Sequence, residues 1–431
     1  MKKLLKNCRL NNSLQNILIV GEYIERVGSE LFPADQIYDL NGKIVLPGMI
    51  DLHTHVRDLE QTYKEDWCSA SKAAMAGGVT TIFDMPNTIP PTDSVEHLSL
   101  KRRVAEASLV NFGLYAGATP RNTAELQRMV SEYNAAGIKI FMAASSANEI
   151  VSDEQTLNSI CSIALEANKP VLTHCELQSC IEARERQFSD VQFNEARFHG
   201  LIRDRHCAYK ALKLILKVAS EIGNALHVLH VSTKEEMQLI SEYKAHGNFP
   251  LTCEVTPHHL FLTEDILPAV GNFGKVNPPL RTREDADALF EALVDGTVDT
   301  IGSDHAPHGR TEKQMTYREA PSGFPGLETT MPLLIDRALR QQDLSFEKIA
   351  QLTAKHPARI VRAKQRGELK PGFFADLIVI DPNASTEIRS SAFFSKAKYS
   401  PFDGQNLKGR IVMTFINGEE IHPEGREVQY D

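Results

Sequence analysis

A chain of 431 residues, 42% hydrophobic and 24% charged, is long enough for a barrel of about 250 residues with a smaller module beside it, and its composition excludes a disordered or fibrous protein. The formal net charge of −9 argues against non-specific adhesion to nucleic acid or to an anionic membrane, so a small anionic substrate would need a local cationic pocket. No apolar run approaches the roughly 18 residues that span a bilayer, and the start MKKLLKNCRLNNS lacks a signal-peptide core, which predicts a cytoplasmic protein.

In chain order, residues 1–43 hold short β-rich runs (LLKNCRL, QNILIVGEYIERVGS, QIYDLNG) separated by Gly and Asn turns. Eight apolar runs ending in polar residues follow: IVLPGMID (44–51), VTTIFDM (79–85), NFGLYAG (111–117), GIKIFMA (137–143), PVLTHC (170–175), LHVLHVS (226–232), LTCEVT (251–256) and DTIGSD (299–304). Between them lie segments of helical period, such as AYKALKLILKVASEIG and TKEEMQLISEYKAHG, closing on Gly223 and Gly247 as C-terminal caps. A helical stretch runs from Leu327 to about Lys364, and residues 366–431 return to short β runs (FFADLIVIDP, GRIVMTFINGEEI). Near-continuous apolar strands alternating with helices indicate a parallel sheet covered on its outer face. The expected fold is therefore α/β: a (β/α)8 TIM-like barrel over 44–365, with a small β domain formed by 1–43 and 366–431. A doubly wound open sheet is the alternative. Seven cysteines at scattered positions, without CxxC spacing, predict reduced and mostly buried thiols.

In a parallel barrel the carboxyl ends of all strands open onto one face, so residues remote in sequence converge there. His53 and His55 follow the first strand, Asn87 the second and Lys139 lies within the fourth; His174 ends the fifth, His230 the sixth, His258 and His259 follow the seventh, and Asp304 ends the eighth. A lone histidine in an apolar strand is usually a hydrogen-bonded core residue, but five or more at one end of a barrel point to metal. His53 and His55, two apart, can offer neutral imidazole nitrogens to one ion, which Asp304 can complete, and His174 with His230 points to a second. Lys139 is anomalous, because an ammonium would be repelled by two cations. A desolvated neutral amine could react with CO2 to give a bridging carbamate; Asp153 offers an unmodified alternative.

DLHTHVRD, KEDW, DMPNTIPP, GIKIF, VLTHCE, LHVLHVSTKEE, LTCEVTPHHLFL, SDHAPH, SGFPGLETTMPLLI and SPFDGQNLKG make the chain similar to the amidohydrolase superfamily. Within it, HxR with MPNT, CEVTPHHLF and GFPGLE resembles the dihydroorotases, in particular the dihydroorotase domain of the animal multifunctional pyrimidine-synthesis protein. That resemblance implies a binuclear zinc centre: His53, His55 and Asp304 on one ion, His174 and His230 on the other, with carbamylated Lys139 and a hydroxide bridging. It implies Asp304 as proton shuttle, and the reversible cyclisation of N-carbamoyl-L-aspartate to L-dihydroorotate. His55, Arg57, Asn87, Asn277, His308 and backbone groups of Ser322 and Gly323 match the family's substrate contacts. A homodimer is expected, with association with other enzymes of the pyrimidine pathway.

Arg57 carries the distinction within the superfamily. A fixed guanidinium suits a ring bearing an exocyclic carboxylate; the competing reading is an ion pair with Asp58 or Glu60. Three stretches depart from the family. Asp58-Leu59-Glu60 stands where an acidic-Pro-Gly turn is usual, AASSANE follows GIKIFM with Ser145 or Ser146 as the replacement donor, and Leu229 stands where the animal domain has a cysteine, which bears on a third metal site involving Glu254 or His259. Two rival functions remain: a hydantoinase or allantoinase, and a non-catalytic assembly partner, the latter disfavoured because every candidate ligand is retained.

Overall fold

The computed structural model describes residues 1–11, 13–144 and 149–422. Strands β1 (Lys2–Leu10), β2 (Ser13–Val20), β3 (Tyr23–Gly28), β4 (Gln36–Asp39) and β5 (Ile44–Pro47) begin a sheet. The C-terminal strands β15 (Leu377–Glu387), β16 (Asn406–Ile416) and β17 (Glu419–Ile421) complete it, in the order β17-β16-β15-β5-β1-β2-β3 with β4 beside β1. Leu5, Ile17, Ile19, Leu377, Val379 and Phe415 form its own buried cluster.

The barrel staves are β6 (Met49–Thr54), β7 (Val79–Asp84), β8 (Asn111–Leu114) with β9 (Ala116–Gly117), β10 (Ile138–Phe141), β11 (Val171–His174), β12 (Leu226–Val228), β13 (Leu251–Val255) and β14 (Thr300–Ile301). They pair in parallel as β6-β7-β8 and β9 through β14. β8 and β9 are successive parts of one stave. Closure comes from a parallel bridge between Thr54 and His305, with the His55 N–H donating to the His305 carbonyl at 2.8 Å. All eight expected strands are present and the sheet is closed, so the chain is a (β/α)8 barrel joined to a sheet built from both termini.

The run 44–51, which reads as one strand, is two. Ile44–Pro47 pairs antiparallel with β15, whereas Met49–Thr54 pairs with β7. Gly48 makes the transfer possible: a Cβ there would lie 2.2 Å from the Thr80 side chain, so only glycine lets the chain pass so close. The helix caps read from the sequence are present, with Gly223 and Gly247 left-handed at φ 85° and 64° behind the helices Arg205–Ile222 and Lys234–His246.

The barrel is filled, not hollow. Ile50, Leu52, Phe83, Met85, Tyr115, Leu172 and Leu229 form an interior layer. Leu229 is 1% exposed in that layer, so the position preceding His230 packs the core instead of facing the mouth. One expectation fails: Cys180 and Cys207 are disulfide-bonded, their Cα atoms 5.3 Å apart across the helices Gln178–Glu185 and Arg205–Ile222. A separation of 27 residues carries no sequence signature, because helix packing alone brings the pair together. Among the described residues no helix is long and apolar enough to cross a membrane.

Candidate metal centre and active site

At the carboxyl end of the barrel, His53, His55 and Asp304 form a cluster whose possible ligand atoms all lie within 4.8 Å of one another. The Nε2 atoms of both histidines are 3.3 Å from Asp304 Oδ1. What turns them inward is on their far sides. His53 Nδ1 donates to Glu254 Oε1 at 2.8 Å and His55 Nδ1 donates to Asn87 Oδ1 at 2.6 Å, which turns the Nε2 of each ring towards Asp304. Burial pulls His55 down to about 3, so its imidazole is neutral. Burial alone would raise Asp304, but His53, first among the neighbouring histidines, holds it well below the usual carboxylate range and therefore ionised.

His174 and His230 lie on the same face. His174 Nε2 donates to Glu176 at 2.9 Å, leaving Nδ1 with its lone pair 2.9 Å from His230 Nε2. The His230 ring sits 5.2 Å, centroid to centroid, from that of His53. Lys139 is fully buried and its Nζ has no hydrogen-bond partner. Burial drives it down to about 7, against the pull of Asp304 and Glu254. Its Nζ lies 4.6 Å from the centre of the Phe141 ring. Asp153 plays no part here, since it caps the helix Glu154–Glu166 through the Thr156 N–H.

Arg57 makes no ion pair with Asp58 or Glu60 among the described residues. Its Nε donates to the Pro307 carbonyl at 3.1 Å, and one terminal nitrogen lies 3.1 Å from His308 Nε2. His308 Nδ1 accepts from Lys64 at 3.2 Å, so Nε2 carries the proton and donates to the Ser322 carbonyl at 3.0 Å. The Arg57 nitrogen beside it is therefore left free to grip another acceptor. Burial and the cations Arg57, Lys64 and Lys313 hold His308 neutral. Asn87 Nδ2 and Asn277 Oδ1 are buried and without partners, one donor and one acceptor. Gly323 is different: its N–H donates to Lys275 and its carbonyl accepts from Lys313. A φ of 126° and a Cβ position 2.5 Å from the Ala306 carbonyl make glycine necessary there.

The stretch without the usual Pro-Gly turn adopts left-handed backbone at three successive non-glycine residues, Arg57, Asp58 and Leu59 (φ 66°, 55° and 50°). Asp58 stabilises it by accepting from the Leu59 N–H at 2.6 Å. His230 and Asp304 are also left-handed, at φ 36° and 45°, so backbone strain gathers where the chemistry would occur. Ser145 and Ser146 lie outside the described residues. His259 is fully engaged by Thr256 and the Pro278 carbonyl, whereas Glu254 accepts from His53 through Oε1 and leaves Oε2 buried without a hydrogen-bond partner. Neither the orienting role of Glu254 nor that of Glu176 follows from the sequence; the one signal for Glu176 is a carboxylate two residues after His174 in VLTHCE.

The amidohydrolase family model matches residues 44–421. The chain belongs to the amidohydrolase family. Curated dihydroorotases are similar to it over nearly their whole length: that of Methanosphaera stadtmanae at 33% identity (99% of this chain, 98% of the relative), that of Staphylococcus epidermidis at 34% (98% of each) and that of Methanosarcina mazei at 36% (93% and 90%). Among solved structures, the L-hydantoinase (dihydropyrimidinase) of Arthrobacter aurescens superposes with a TM-score of 0.94 at 30% identity, covering 99% of this chain and 97% of that one. This amidohydrolase is thus a dihydroorotase-like cyclic amidase acting on a small molecule, with His53, His55 and Asp304 as a candidate metal site.

Proposed function

We propose that this amidohydrolase is a dihydroorotase, interconverting N-carbamoyl-L-aspartate and L-dihydroorotate in pyrimidine synthesis. The observation that carries the proposal is Arg57, a buried guanidinium at the mouth with a terminal nitrogen uncommitted, in a chain of net charge −9. A ring with an exocyclic carboxylate would engage it, whereas hydantoin and allantoin offer no such group. The identity of 33–36% to dihydroorotases supports the same substrate.

The donor set fits two divalent ions, which we assign as zinc. His53, His55 and Asp304 would hold one and His174 and His230 the other. Lys139, whose Nζ has no hydrogen-bond partner, is suited to attack CO2 through Nζ, forming an N–C bond and releasing a proton, to give a carbamate that would supply the remaining carboxylate ligand. Bound there, the ions would polarise the ring carbonyl and acidify a water molecule.

The chain's own residues supply the rest. Asp304, ionised, takes a proton from the attacking water and delivers it to the ring nitrogen as the amide C–N bond breaks; in the synthetic direction it takes that proton from the ureido nitrogen. Arg57 grips the carboxylate that does not react. Asn87 Nδ2 donates to the substrate, Asn277 Oδ1 accepts from a ring N–H, and the His308 ring and the backbone at Ser322 and Gly323 close the pocket around it.

The test is a substrate panel on the purified protein. Turnover of L-dihydroorotate with little of hydantoin or allantoin is expected. The L-hydantoinase likeness makes the opposite outcome concrete: turnover of hydantoin without dihydroorotate would overturn the proposal.

A further inference from the structure

At the opposite end of the barrel, a cavity of about 490 Å³ opens between Phe112–Leu114 of β8, the residues that precede β10 and β11, and the segment 361–364. Four cationic side chains line it, Arg102, Lys169, Arg362 and Lys364, and no carboxylate does. On a chain of net charge −9 this concentration of one sign is unexpected. None of the four forms an ion pair among the described residues. Three are instead held in place by neutral acceptors: Arg102 donates to the Tyr133 carbonyl at 2.7 Å, Lys169 to Asn134 Oδ1 at 3.1 Å, and Arg362 to Asn168 Oδ1. These bonds orient the cations without neutralising them. Burial and, after it, the charge of Arg362 lower the Lys169 ammonium, so these two cations repel one another. The floor is apolar, formed by Phe83, 7% exposed, and half-buried Phe112.

We infer that this amino-end cavity is a binding site for a phosphate-bearing small molecule, with the cations on the phosphate and the phenylalanine floor under an attached organic group. Arg guanidinium forks match phosphate oxygens in pairs, and a multiply charged anion offsets the repulsion among four cations as no neutral ligand can. A volume of about 490 Å³ falls within the range of small-molecule sites and admits a mononucleotide. The site is separate from the metal centre: Pro170 at its rim immediately precedes β11, whereas His174 ends that strand.

Isothermal titration of the full chain with inorganic phosphate, uridine and adenosine 5′-monophosphates, and the two nucleosides tests this. Saturable binding of the phosphate-bearing probes is expected, weakening with salt. Tighter binding of mononucleotides than of phosphate assigns an organophosphate, and equal binding a free phosphate. The variant Arg362→Ala/Lys364→Ala, at two exposed positions, should lower affinity about tenfold or more while leaving turnover at the metal centre unchanged; Lys169→Ala should do the same. Absence of binding, equal binding of the nucleosides, or binding that survives both variants would overturn the inference.

Discussion

Arg203 grips Glu176 through two nitrogens, Nη2 at 2.6 Å and Nε at 3.0 Å from Oε2, the oxygen that also receives the His174 Nε2 proton at 2.9 Å. The same guanidinium donates to the Ala144 carbonyl at 3.0 Å, so a single buried cation ties the orientation of His174 to the chain just after β10. Burial would raise Glu176, but Arg203 and His174 reverse this and keep it ionised.

Removing that charge should loosen His174 without touching substrate. Glu176→Gln is expected to weaken metal affinity about 10–100-fold, the usual range for a lost orienting partner, with activity recovering when metal is supplied in excess. Metal content measured at fixed free zinc reports it. Unchanged occupancy would rule out the orienting role.

The eight staves were legible because strands buried on both faces read as apolar runs, and because the polar residues closing them converge only if the sheet closes. The division at Gly48 was not legible, since both halves of IVLPGMID are buried and no change of period marks the crossing from one sheet to the other. Ligand candidates stood out as histidines in apolar strands. Their orienting partners did not: Glu254 comes from a strand 201 residues away from His53, and Glu176 looks like any acidic residue at the start of a loop. The free nitrogen of Arg57 depends on the proton position of His308, which follows from Lys64 and Ser322 and from nothing nearby in sequence.

Lys139→Ala should remove metal and activity together while preserving the fold, because Lys139 makes no hydrogen bond that the barrel needs. If its role is a carbamate, small carboxylic acids such as acetate or propionate should restore part of the activity by supplying the missing carboxylate. Intact mass under native conditions should show the wild-type chain heavier by one CO2. Full activity and metal content in the variant would exclude the bridge.

Glu236 offers a test of electrostatics away from the metals. It is 2% exposed, and burial pushes it up to about 7 although it accepts from Ser232 and Thr233. The folded state therefore binds its proton more tightly than the unfolded state, whose value is near 4.5. Between these limits the native state holds more protons, so this group's contribution to stability is complete at low pH and is lost as pH rises towards about 7. Glu236→Gln keeps the capping box and removes the titration. Denaturant unfolding at several pH values should show a shallower loss of stability with rising pH in the variant, and parallel curves would contradict the assignment.

In the proposed function, Arg57 is the residue that distinguishes this chain from other cyclic amidases. On the proposed function, replacement by Ala would remove charge-assisted hydrogen bonds to the substrate carboxylate, each worth about 1.5–3 kcal/mol, so kcat/KM for dihydroorotate should fall about 10–100-fold for each bond lost. Lys in its place restores the charge but not the planar fork, and its ammonium cannot reproduce both the Nε bond to the Pro307 carbonyl and the free terminal nitrogen beside His308. Arg57→Lys should therefore recover only part of the loss. Steady-state kinetics on both variants, with metal content measured alongside, separates substrate binding from damage to the centre that His55 shares two residues away. An unchanged kcat/KM in Arg57→Ala would remove the carboxylate role, and with it the argument that places this enzyme among the dihydroorotases and not the hydantoinases.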